Sequence, residues 1–68
     1  MPTEQTAICI RMAMAKADIG SKELGKICGV SESAVWRWRN HGCNGVMTLE
    51  KIAKACNMDY SEMMGLAG

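Results

Sequence analysis

Residues 21–40 read SKELGKICGVSESAVWRWRN, two short helical patterns separated by a glycine. Ser21, ahead of Lys22, Glu23 and Leu24, reads as an N-cap, since a serine hydroxyl can accept from an unpaired first-turn amide. Leu24, Ile27 and Cys28 then recur at helical spacing as an apolar stripe. Gly29 suits the left-handed backbone that ends many helices, Val30 plugs the turn, and Ser31 caps a second helix over 32–40. Ala34, Val35 and Trp38 share one face of that helix, while Glu32, Ser33, Trp36 and Arg37 share the other. Gly25 constrains the pair further. Glycine inside a helix costs about 1 kcal/mol relative to alanine, so its presence predicts a helix crossing with no room for a side chain, with Val35 as the expected neighbour. The second helix is thereby held against the body by one face and projects into solvent by the other, a shape that fits a DNA major groove.

The flanking sequence supplies that body. Ile10, Met14 and Ala17 recur at helical spacing over 4–17, with Arg11 and Lys16 off the stripe. Asp18, Ile19 and Gly20 interrupt it. Residues 41–47, with Gly42, Asn44 and Gly45, have no period and read as a loop. Thr48 caps a fourth helix with Leu49, Ile52, Ala53 and Cys56 buried and Glu50, Lys51 and Lys54 outward. A last helix over 60–66 carries Met63 and Met64, which either complete the core with the other methionines or form a dimer seam. The prediction is one all-α domain over 1–68, with no room for a second folded unit.

Composition agrees with helices: 49% of the residues are hydrophobic and there is no Phe. No stretch approaches the roughly 20 apolar residues of a membrane span, and residues 1–5 lack a basic signal region, so a soluble, cytoplasmic protein without membrane partners is expected. Cys9, Cys28, Cys43 and Cys56 form no CxxC pair and His41 is the one histidine, a poor set for zinc. Cys28 and Cys56 fall at periodic apolar positions as small hydrophobes, and reduced thiols are expected throughout. The net charge of +1 is small for a nucleic-acid binder, but residues 1–45 hold the basic excess, six basic against four acidic side chains.

The motif Leu24, Gly25, Lys26, Ile27, Cys28, Gly29, Val30, Ser31, continued by Val35 and Trp38 and again by residues 49–55 (LEKIAKA), resembles the Cro/repressor-like helix-turn-helix family of phages and bacteria. The resemblance spans nearly the whole chain. It implies a five-helix lambda-repressor-like domain with its helix-turn-helix unit over 21–40. It also implies sequence-specific binding of double-stranded DNA as a homodimer, and a nucleoid-associated transcriptional repressor that needs no cofactor or small-molecule substrate. Glu32, Ser33 and Arg37 would reach base edges. Ser21 would cap its helix against a phosphate, Lys22 and Asn40 would touch phosphate, and Tyr60 and Glu62 would lie at the dimer interface. Relatives often pair an arginine in the first helix with a glutamate ending the third. Met14 and Arg39 stand there instead, so no buried charge is stranded. The loop over 41–47 also lacks the lysine, arginine and proline common in relatives, which leaves fewer phosphate contacts there, or contacts made by backbone amides.

Among the base-reading candidates, Arg37 can fork onto guanine. Glu32 either accepts from cytosine or favours its helix N-terminus. Trp36 either contacts a thymine methyl or the sugar wall, or packs on the following loop. The alternative is a protein-interaction module, such as the antitoxin of a toxin pair, with DNA binding secondary. That reading rests on the low net charge and an outward Trp36. An enzyme has little support: no phosphate loop occurs, and the one conceivable reactive pair is His41 with Cys43.

Overall fold

The computed structural model describes residues 3–43 and 45–66; Met1, Pro2, Asn44, Ala67 and Gly68 lie outside the described residues. It contains five helices and no strand among those residues: α1 (Thr3–Ala17), α2 (Ser21–Cys28), α3 (Glu32–His41), α4 (Val46–Ala55) and α5 (Tyr60–Gly65). The chain is all-α, as its composition and periodicity predict. α1 lies at the centre, packed on α3, α4 and α5, while α2 bridges α3 and α4. That position explains why the buried stripe of α1 is wider than Ile10, Met14 and Ala17. Thr6, Ala7, Cys9 and Ala13 are also buried, because three helices cover α1 from different sides. Leu24, Val35, Leu49, Ile52, Ala53, Cys56, Met58 and Met63 complete the core.

Three helices stop by one device. α1 ends with Asp18 at φ 57, α2 with Gly29 at φ 72 and α4 with Asn57 at φ 60. In each case the next amide reaches back to the carbonyl five residues earlier: Ile19 to Met14, Val30 to Gly25 and Met58 to Ala53. These bonds satisfy carbonyls the helix end would otherwise orphan. Asp and Asn tolerate the left-handed region better than other side-chain-bearing residues, and glycine best of all. Ile19 and Met58, the residues just after two of these turns, fold back onto the core and close it.

Several local expectations are corrected. The N-cap of α2 is Gly20, not Ser21, which is the first helical residue. The loop before α4 is shorter than 41–47: His41 belongs to α3, Val46 and Met47 belong to α4, and Gly45 rather than Thr48 is the cap. Ile27 is not part of the buried stripe of α2 but 54% exposed, because the core lies under Leu24 and the partly covered Cys28. Val30 is exposed at the turn rather than plugging it. Gly25 is a true close approach, but to the turn and not to Val35. A Cβ there would stand 2.9 Å from the Val30 carbonyl oxygen and 3.5 Å from the Ser31 carbonyl. Nor do all methionines fill the core, since Met12 and Met47 are exposed. Met63 is wholly buried, so it belongs to the core and not to a seam.

Candidate nucleic-acid interface

α3 is built to be held by one side. Ser31 stands in extended backbone, and its Oγ accepts from the Ala34 amide at 3.2 Å, the expected N-cap. Val35 is fully buried, and Ala34 and Trp38 are half-buried on the same side. A hydrogen bond fastens the far end of the helix: Arg39 Nη1 donates to Ser21 Oγ at 2.8 Å. The hydroxyl expected to cap α2 therefore clamps the end of α3 to the start of α2. Arg39 lies where the resemblance notes a missing glutamate, and its guanidinium finds this neutral acceptor instead.

The opposite face of α3 carries Glu32, Ser33, Trp36 and Arg37, all exposed. Their spacing places them on one side of the helix, and together they line one shallow, open recess. No described side chain bonds to those of Glu32, Ser33 or Arg37, so an acceptor, a hydroxyl and a guanidinium fork all face solvent. Glu32 sits in the first turn, where the helix dipole favours a carboxylate. Trp36 is 55% exposed, and its ring meets that of His41 edge to face, with centroids 6.0 Å apart and planes at 70°. The indole thus meets His41, the first residue of the loop expected over 41–47, which the structure places at the end of α3.

The other candidates divide. Lys22 is exposed on the first turn of α2, beside Gly20, Glu23 and Lys26. Asn40 is exposed, but its Nδ2 donates to the Trp36 carbonyl at 2.8 Å, which commits part of its amide to its own helix. Tyr60 and Glu62 lie on α5, which packs on α1 and α4 and not on α2 or α3. Tyr60 is half-buried against the core, and Glu62 is exposed with its carboxylate 4.0 Å from Lys16 Nζ, a pair too solvated to contribute much.

One residue that the sequence reading passed over completes the support of α3. Thr6, buried on α1, accepts through Oγ1 from the Cys43 amide at 2.9 Å, which ties the segment after α3 to the central helix. Its position among Ala7, Cys9 and Ile10 on the inner side of α1 is the one signal the sequence carries for this. Cys43 Sγ lies 4.0 Å from the Gly45 carbonyl oxygen, and the His41 ring contacts Trp36, so thiol and imidazole have separate partners. All four cysteines are free. Burial pushes the thiols of Cys28 and Cys56 above the ordinary range; Lys51 partly opposes this at Cys28, and Cys28 adds to it at Cys56. Among the described residues no three of His, Cys, Asp and Glu converge in a way that could hold a metal ion. None of the described helices is long and apolar enough to cross a membrane. No protein-family model, curated protein or solved structure matches this chain.

Proposed function

We propose that this chain is a sequence-specific binder of double-stranded DNA, a transcriptional repressor of the Cro/repressor-like helix-turn-helix kind whose α3 enters the major groove. The observation that carries the reading is the division of α3. Val35 and the Arg39 to Ser21 bond hold one side, while Glu32, Ser33, Trp36 and Arg37 stand together on the other with hydrogen-bonding groups unused. An α-helix fits the major groove, and those side-chain types match base edges: arginine pairs with guanine O6 and N7, a carboxylate with the cytosine amino group. Lys22 at the start of α2 flanks α3 as a phosphate contact, and Asn40 adds a second from the amide capacity its intrahelical bond leaves.

A single short helix reads few base pairs, so the functional species is a homodimer on two half-sites about one helical turn apart. The resemblance assigns its interface to α5, through Tyr60 and Glu62.

Selection from a random duplex library followed by footprinting tests the proposal. Enrichment of a two-fold symmetric site, with binding weakened at least about fivefold by Arg37→Ala, supports it. Absence of any enriched sequence overturns it. The exposed Trp36, Val46 and Met47 also suit a protein partner, as in an antitoxin. A tight complex with such a partner that is lost in Trp36→Ala but kept in Arg37→Ala, without footprinting activity, is the outcome that favours that reading.

A further inference from the structure

Trp36 is the odd member of the recess. Glu32, Ser33 and Arg37 beside it can all exchange hydrogen bonds with polar base atoms, but an indole offers one N–H donor and no acceptor. It cannot make the paired contacts by which a side chain reads a purine edge. Its surface is apolar, and 55% of it stands in water at the centre of a face otherwise made of hydrogen-bonding groups. The one apolar feature that distinguishes bases along the major groove is the C5-methyl group of a pyrimidine.

The indole is also restrained. The His41 ring backs it, with centroids 6.0 Å apart and planes at 70°. A flat side chain already held in place loses little freedom when a ligand covers it. The restraint comes from behind, within α3, and leaves the recess side open.

Resting on the proposed binding of α3 in the major groove, we propose that Trp36 reads a C5-methyl pyrimidine, one per subunit, and so confers a preference for thymine over uracil or for 5-methylcytosine over cytosine at that position. Its pocket is formed by the indole face between Glu32 and Arg37. His41 acts as a positioning residue that keeps the ring at the height of the groove wall.

The test uses the full chain and duplexes bearing the site obtained by selection. Each dT is replaced singly by deoxyuridine, which removes the methyl and leaves base pairing intact, and each dC by 5-methyl-dC. The expected result is one pyrimidine per half-site at which the methyl strengthens binding about fourfold, the value of burying one methyl-sized group at about 0.8 kcal/mol. A response to deoxyuridine assigns a thymine, and a response to 5-methyl-dC assigns a methylated cytosine. The effect disappears in Trp36→Ala and shrinks in His41→Ala, while both variants keep the dependence on Arg37. A site that is selected and needs Arg37 but shows no methyl effect, or the same effect in Trp36→Ala, overturns this inference and leaves the proposed function standing. If no site is selected, both fall. Because the methyl is removed from the DNA, a wild-type protein that shows no methyl effect overturns the inference even if a protein variant misfolds.

Discussion

Arg39 donates to the Ser21 hydroxyl at 2.8 Å, joining the last turn of α3 to the first residue of α2. A guanidinium on a neutral hydroxyl is a charge-assisted bond, stronger than a neutral pair but weakened here by partial solvent access. Ser21→Ala and Arg39→Ala are each expected to lower stability by about 1 kcal/mol. The double variant should lose less than the sum, with a coupling of about 0.5–1 kcal/mol from urea unfolding. Additivity would show that the bond contributes nothing in solution.

Gly25 and Gly65 both occupy helices, yet alanine should act oppositely at the two. At Gly25 the helical preference for alanine, about 1 kcal/mol, meets a Cβ only 2.9 Å from the backbone oxygen of Val30, which cannot swing aside as a side chain could. Overpacking of this kind costs about 1–3 kcal/mol, so the clash wins and Gly25→Ala lowers Tm. Gly65 has nothing within 4 Å of its would-be Cβ, and Gly65→Ala should raise Tm by a few degrees, about 0.5 kcal/mol. Thermal melts of the two variants decide the matter, and a Gly25→Ala protein as stable as wild type would refute the close approach.

The thiols of Cys28 and Cys56 ionise less readily in the fold than in the unfolded chain, because burial disfavours the thiolate. For an acid with a raised folded pKa, the stabilisation is present below the unfolded value. Above about pH 8.5 the unfolded chain sheds these protons while the fold retains them, so stability falls as pH rises through the thiol range. Tm measured from pH 7 to 10 should decline over that window, and the decline should shrink in a Cys28→Ala, Cys56→Ala double variant. An unchanged slope would assign the decline to other groups.

With a net charge of +1 and few cations beside α3, DNA affinity should depend only moderately on salt. About three to five phosphates per subunit correspond to a log–log slope of about −2.7 to −4.5 per subunit. Arg37→Ala should weaken binding by about 1–3 kcal/mol and relax the choice of base at one position, whereas Lys22→Ala should weaken all sequences alike and reduce the slope by about 1. Titrations from 50 to 300 mM salt, on selected and scrambled duplexes, separate the two effects.

The residues on the two faces of α3 were legible in the sequence because periodicity alone sorts them: Val35 and Trp38 inward, Glu32, Ser33, Trp36 and Arg37 outward. Gly29 was legible too, since a glycine between two periodic runs has few other reasons to be there. Ile27 was misread because it sits at helical spacing from Leu24 while α2 is covered mainly on the side of Leu24 and Cys28. A period gives the direction of a face but not its width. Width depends on how many neighbours arrive, as the broad stripe of α1 shows.

What the linear chain determined by itself is the set of local preferences: helix-forming runs, a left-handed residue at Gly29, and two sides on each helix. These depend on interactions within about one helical turn. The folded structure alone decided who partners whom: Arg39 with Ser21 and the Cys43 amide with Thr6 far along the chain, and the Val30 carbonyl against Gly25 within the turn. A hydroxyl, an amide or a bare Cα has many possible mates of equal chemistry, and only the packing of the core brings one of them within reach.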